Sequence, residues 1–400
     1  MGSCNDALDG TPFSVFEDLE RRIRAAGHDR PHRLHQGKTT FQPAASLAEW
    51  PAGAFELEAH HHASPAGIAG LTRRIAEVET GRLGRTVTAG DVLVTCGASH
   101  AIHLVLAAVT RPGDEVIILS PQWLFAVGLV RAANAVPVEV PVFVDLAADA
   151  SFDFLSRVEA AIGPRTRAIY FNTPNNPTGY SMTPAQLSGL AALAEAHDLW
   201  LISDDAYENY DFSDHGFTEI STLDRAADRT FQVHSFSKSY IMPGYRVGYL
   251  VCPPGMADRL RKYGLYSVYS IATASQYGAF QALNEDPARL ARRHADVRRV
   301  RDITLDLLAV PHTGIMGGFY TFLDLGGETA ADTDAFIDRC IAQGVTLAPG
   351  TAFGTGFDRY ARLCFTAVTE ADLPAALKTI NQVHAALQGR SLRPQRSAVA

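Results

Sequence analysis

HSFSKSYIMPGYRVGYL, residues 234–250, holds one lysine, Lys238, between two serines, and an arginine, Arg246, eight positions further on. The residues before it, TFQVHS (230–235), read as a short buried strand. The residues after it, RVGYLVC (246–252), read as another, with Arg246 at its start. A cation placed among strands destined for a core must find an anion, because a buried unpaired charge is costly. The stretch therefore asks what Lys238 and Arg246 are there to hold.

Working outward, the same rhythm of short apolar strand and helix covers the middle of the chain. DVLVT, EVIILS, VPVEVP, RAIYFN, LWLISD, TFQVHS and RVGYLVC read as strands, with HAIHLVLAAV, LFAVGLVRAA and PAQLSGLAALAEAH as helices between them. Continuous apolar runs alternating with helices predict an α/β fold, with a mostly parallel seven-stranded sheet sandwiched by helices. Near residue 285 the pattern changes to a long charged helix, PARLARRHADVRRVRDITLDLLA, followed by FYTFLDL, VTLAPG and ARLCFTAV. This predicts a smaller α+β domain. The expected division is an N-terminal segment, 1–50, packing on the small domain; a large ligand-binding domain, 51–285; the small domain, 286–388; and a disordered tail, 389–400. In the first segment FSVFEDLERRIRAA, residues 13–26, has helical spacing, and DRPHRLHQGKTTFQP reads as loop.

The chain has 400 residues, 47% of them hydrophobic, enough to bury a large core. Its formal charge of -8 argues against nucleic acid as a partner, which would demand a basic face. No apolar run is long enough for a bilayer, and MGSCNDALDGTPF has no signal-peptide pattern, so no membrane is expected. Five scattered cysteines without a CxxC pair suit a reducing cytoplasm. His60, His61 and His62 are consecutive and cannot all point one way, so no metal site is expected there.

In an open α/β sheet, ligands lie beyond the carboxyl ends of the strands. Four predicted strand ends carry polar residues: Gly97-Ala98-Ser99, opening a helix; Asn172, Asn175 and Asn176; Asp204, Asp205 and Tyr207; and Ser235 with Lys238. Each has an ordinary reading, as a helix cap, a turn or a solvated lysine. Together they place an anion cradle, an acid, an amide, a phenol and an amine on one edge. Pyridoxal 5′-phosphate chemistry needs that set. A lysine forms a Schiff base with the aldehyde, and an acid keeps the ring nitrogen protonated. A phenol and an amide bind the ring oxygen. Helix N–H groups, Ser235 and the planar fork of Arg246 suit the phosphate.

SFSKSYIMPGYRVGY, NNPTG, SDDAY, GASHA and RLCFT resemble, in content and spacing, the class I/II aminotransferases of pyridoxal-phosphate fold type I. The resemblance runs from about Leu34 to the last predicted helix. It implies Lys238 as Schiff-base lysine and proton carrier, Asp204 on the ring nitrogen, and Tyr207 and Asn176 on the ring oxygen. It implies Ala98, Ser99, Ser235 and Arg246 on the phosphate, and Trp123 stacked on the ring. Arg362 would clamp the substrate carboxylate, with Gly37 and Asn176 beside it. Such enzymes act on an amino acid and a 2-oxo acid, as homodimers with sites at the interface. Two places depart from the family. His62 stands where a tyrosine commonly reaches the neighbouring subunit's phosphate. LHQGKTTF replaces the usual loop over the substrate, which makes Lys38 a candidate substrate contact and brings His32 and His35 near the site in sequence. Transfer of an amino group is the expected reaction. The alternative is elimination or oxygen-dependent oxidation of an amino acid on the same scaffold, and a non-catalytic binding protein is disfavoured by the intact Lys238, Asp204 and Arg246.

Overall fold

A computed structural model describes Leu8 and residues 14–42, 60–327 and 329–389. The strands are β1 (His32–Arg33), β2 (Val92–Thr95), β3 (Glu115–Ser120), β4 (Val136–Pro141), β5 (Thr166–Asn172), β6 (Trp200–Asp204), β7 (Thr230–Ser235), β8 (Gly248–Val251), β9 (Tyr320–Asp324), β10 (Val345–Thr346), β11 (Ala348–Pro349) and β12 (Tyr360–Cys364). Seven of them form one sheet in the order β2-β8-β7-β6-β5-β3-β4. Pairs from β4 through to β7 are parallel, whereas β8 runs antiparallel to both β7 and β2. The expected α/β fold with a mostly parallel seven-stranded sheet is what the chain adopts.

Helices cover both faces. Ala101, Ile102 and Val105 of the helix Gly97–Val109 pack on Ile118, Tyr170 and Phe231. Leu187, Leu190 and Ala194 of the helix Pro184–Ala196 pack on Ile117, Ile169 and Leu201. Ile117 and Ile118 are neighbours in β3 that face opposite layers, as strand alternation requires. Thr183 starts the second helix with a capping box to Gln186, and Pro184 sits in its first turn, where its missing N–H costs nothing.

A second core gathers the two ends of the chain. Leu19 and Ile23 of the helix Ser14–Ala25 join Val297, Phe336, Leu363 and Ile380 in one apolar cluster. The segment expected to be pure loop contributes β1, paired in parallel with β10. Two residues are too few to show strand periodicity, so nothing in the sequence marked them. VTLAPG likewise splits into β10 and β11, which join different sheets. Phe13, residues 43–59 and the expected tail apart from Gly389 lie outside the described residues.

Candidate active site

The antiparallel turn of β8 explains how Arg246 reaches the carboxyl edge of the parallel strands. Ser235, the last residue of β7, pairs with Gly248, the first of β8, and Gly248 also pairs with Thr95, the last of β2. The start of β8 therefore sits beside two strand ends. Arg246 is not in that strand, as the run RVGYLVC suggested. It follows a single 3-10 turn, Pro243–Tyr245, with a left-handed φ of 53°. Gly97 lies directly against it: a Cβ there would stand 2.7 Å from the Arg246 Nη2. Only glycine lets the guanidinium come so close to the N-terminus of the helix Gly97–Val109. Lys238 lies in a short helix, Phe236–Ser239, whose first turn is capped by Ser235 accepting from the Ser237 N–H.

A pocket of about 320 Å³ opens at this edge. It brings together Gly37, Ala98, Ser99, Trp123, Asn176, Asp204, Tyr207, Ser235, Lys238, Arg246 and Arg362. These eleven are the sequence-derived candidates apart from Lys38 and His62. Phe16, Phe125, Tyr320 and Ser237 also line it. Tyr320 and Phe16 come from distant elements, and no local motif announced them.

Four hydrogen bonds fix the geometry. Lys238 donates from Nζ to the Gly37 carbonyl at 2.7 Å, joining the N-terminal segment to the lysine turn. A Cβ on Gly37 would stand 2.5 Å from the Tyr320 hydroxyl, so the close approach needs glycine. The hydroxyls of Tyr207 and Tyr320 are 2.7 Å apart. Arg362, 1% exposed, donates to Asn176 Oδ1 at 2.9 Å and to the His35 carbonyl at 2.6 Å. Its guanidinium lies 4.4 Å from the Tyr320 ring centre and 4.7 Å from that of Phe353. Its Nε has no hydrogen-bond partner among the described residues.

Asp204 is buried, with Oδ2 accepting from the Tyr170 hydroxyl at 2.8 Å and Oδ1 from the Ala206 N–H at 3.3 Å. Burial pushes its carboxyl up to about 6, against those hydrogen bonds. Burial also lowers the Lys238 amine to about 8, assisted by the charges of Arg362 and Arg246. An amine near neutrality can both lose and regain a proton at working pH.

The other candidates lie elsewhere. Lys38 does not bring its side chain to the pocket; its carbonyl accepts from the Thr366 hydroxyl at 2.8 Å. His35, which sequence adjacency put near substrate, is buried behind the pocket against Thr346 Oγ1 at 2.6 Å and Glu20 at 3.2 Å. Burial lowers it to about 4. His32 belongs to β1 and does not line the pocket either. His62 is exposed, its ring 5.1 Å from that of Tyr269.

Beside the site lies a cluster of buried charges that sequence reading missed. Arg82 contacts Glu208 at 2.9 Å, Glu219 at 3.2 Å and Glu79 at 3.6 Å. His234 contacts Glu208 at 2.5 Å and stacks on Tyr249. Glu79, Glu219 and His234 offer ligand atoms within 4.8 Å of one another, but Arg82 already lies against both carboxylates, so their counter-ion is a guanidinium.

The family profile of aminotransferase class I and II matches residues 59–380. The chain is 35% identical to the arginine–pyruvate transaminase of Pseudomonas aeruginosa over 337 residues, 82% of this chain and 84% of that one. It is 32% identical to the aspartate/prephenate aminotransferase of Thermus thermophilus over 360 residues, 88% and 90% of the two chains. The solved aspartate aminotransferase of Thermus thermophilus with maleate superposes with a TM-score of 0.86 at 29% identity, covering 96% of this chain and all of that one. The chain belongs to the class I and II aminotransferases. It is an enzyme that transfers an amino group, and the elimination and oxidation alternatives gain no support from these relatives. No helix among the described residues is long and apolar enough to cross a membrane.

Proposed function

We propose that this pocket holds pyridoxal 5′-phosphate and moves the amino group of an L-amino acid to a 2-oxo acid, with Lys238 as the residue that handles the cofactor aldehyde and the migrating proton. The observation that carries the reading is convergence: one half-buried amine, one buried carboxylate, two phenols and an anion cradle share a single pocket. The donor set fits the group. Ala98 and Ser99 at the start of the helix Gly97–Val109, Ser235, Ser237 and Arg246 would take the phosphate, where N–H groups and a guanidinium favour an anion. Asp204 would hold the proton on the ring nitrogen, Tyr207 and Asn176 would bind the ring oxygen, and Trp123 would cover the ring. Bound there, the cofactor would supply an aldehyde that accepts the amino group and a ring that accepts electrons from the substrate.

The protein's own groups do the rest. Lys238 Nζ would take the proton from the substrate Cα and return it in a 1,3 shift to the carbon two atoms away, beyond the nitrogen, a task suited to an amine titrating near 8. Arg362 fastens the α-carboxylate, with Asn176 and the His35 carbonyl aiming its guanidinium. Phe16, Phe125 and Tyr320 shed water from the reacting atoms. Among the described lining residues the cations are Lys238, Arg246 and Arg362 and the one carboxylate is Asp204. Each has a partner in the scheme above, so the described lining residues of this chain leave no counter-ion over for a charged substrate side chain, which favours an uncharged donor. We further propose a cytoplasmic homodimer. Tyr266 is 89% exposed, Tyr269 51% and Val268 44%, forming an apolar patch beside His62 that a second copy would cover, delivering His62 to its neighbour's phosphate.

The test is a donor panel with pyruvate and 2-oxoglutarate as acceptors. Phenylalanine or leucine should exceed aspartate and arginine in kcat/KM. Ammonia release without an acceptor would overturn amino transfer, and a tenfold preference for aspartate or arginine would overturn the side-chain assignment.

A further inference from the structure

We propose that Tyr170 is a positioning residue of the reaction: its hydroxyl fixes Asp204 in place and favours the ionised carboxylate, so that the site can hold a proton on a bound ring nitrogen. This deepens the role given to Asp204 above and rests on it.

Tyr170 sits in β5, next to β6, which ends in Asp204. It is 2% exposed, and its ring lies in an apolar layer with Ala101, Ile118, Ile202 and Phe231. A phenylalanine would fill that layer equally well. A buried hydroxyl costs free energy unless it is hydrogen-bonded, and this one is bonded to Asp204 Oδ2 at 2.8 Å. The rest of the acid is held from the same side of the sheet: Asn172 donates to the Asp204 carbonyl at 2.7 Å, and the Ala206 N–H donates to Oδ1. The carboxylate is thereby fixed before any ligand arrives.

The effect on charge follows from the hydrogen bond. A donor to a carboxylate stabilises the anion and lowers its proton affinity, while burial raises it. Four groups face Asp204: the Tyr170 hydroxyl on β5, the Ala206 N–H on the turn after β6, His234 on β7, and Lys238 in the short helix beyond. The first two touch it. His234 and Lys238 act through charge. His234 keeps its proton because Glu208 lies against it, so its influence is constant through neutral pH. Tyr170 is the strongest of the influences that oppose burial. Without it the carboxyl titrates higher, and below that pH Asp204 is a neutral acid that no longer favours a positively charged ring nitrogen.

The experiment compares Tyr170→Phe, Tyr180→Phe and Asp204→Asn with the parent. Tyr180 is an equally buried tyrosine whose hydroxyl bonds Gln186, away from the pocket. Apoenzyme is titrated with pyridoxal 5′-phosphate between pH 5.5 and 9, following tryptophan fluorescence, and kcat/KM is measured over the same range. In Tyr170→Phe the acid limb of both profiles should move up by about one pH unit, a tenfold loss near pH 6 that disappears by pH 9. Tyr180→Phe should leave both limbs in place. A uniform loss at every pH in Tyr170→Phe, or an unmoved limb, overturns the proposal. If Asp204→Asn matches the parent in affinity and rate, the role of Asp204 fails and this inference fails with it. If Asp204→Asn is crippled while Tyr170→Phe is unshifted, only the inference about Tyr170 falls.

Discussion

Asp204 and Asp205 are neighbours, both carboxylates, both buried, and they serve opposite purposes. Asp204 ends β6 on the pocket side. Asp205 turns the other way, accepting from the Ser203 hydroxyl at 2.6 Å and facing Glu219 and Glu208. Ser235 and His234 repeat the contrast on the next strand, one capping the lysine turn and the other joining the charged cluster. Side-chain alternation along a strand thus separates two populations of charge within one residue's step. The pocket charges keep atoms turned to a ligand. The cluster charges lie against one another, Arg82 and His234 among Glu79, Glu208 and Glu219.

The comparison breaks if substitutions on the two sides have like effects. The largest effect is expected at Lys238→Ala, where amino transfer should fall by about 10⁴-fold, the upper range for removing a general acid–base, read as 2-oxo acid formation. Asp204→Asn should lower the rate by about 10³-fold. Asp205→Asn should instead leave kcat close to the parent's. Burial, then the charge of Glu219, pushes the Asp205 carboxyl well up, so a neutral amide is a close mimic. The reverse result would move the role proposed for Asp204 one residue along. Glu208→Gln should cost about 3 kcal/mol of stability in urea unfolding, because it strips a partner from both Arg82 and His234. Arg246→Ala should weaken affinity for pyridoxal 5′-phosphate by about 1.5–3 kcal/mol, the scale of a hydrogen bond to a charged group, with little change in melting temperature.

The smallest effect is a pH dependence confined to the cluster. Burial alone would lower His234, but the carboxylates of Glu208 and Glu79 raise it from 6.5 to about 10. A group raised on folding lends stability that is complete below its unfolded pKa and lost as pH rises through its folded one. The melting-temperature gap between the parent and His234→Gln should therefore be full at pH 6 and shrink toward pH 10. A gap independent of pH would mean that His234 is neutral in the folded protein.

The pocket side was largely legible in the sequence because its parts are local strings. Ser235, Lys238 and Arg246 lie within twelve residues, and Asp204 and Tyr207 within four. Strand ends in a parallel sheet must converge, so finding the strings nearly located the site. Phe16, Tyr170 and Tyr320 escaped notice because each reads as an ordinary core aromatic until its neighbours in space are known. The charged cluster was equally hidden: Glu79 and Arg82 sit on a helix where acid and base three apart look like a solvated face, yet Glu79 is fully buried. Proximity in sequence also misled. His35 and Lys38 lie within two residues of Gly37, but neither lines the pocket, and it is the Gly37 carbonyl that meets Lys238.

The union of β1 with β10 has a consequence for how the enzyme is made. Every strand of the seven-stranded sheet lies between residues 92 and 251, so a nascent chain can complete that layer, lysine turn included, while the residues that follow are still on the ribosome. The helix Ser14–Ala25 and β1 emerge before that sheet, but β1 has no strand to pair with until Val345 and Thr346 appear. Phe16, Gly37 and Arg362 then enter the pocket together. A segment made before the sheet is thus among the last to settle, and a chain released before residue 362 would carry Lys238 without Arg362.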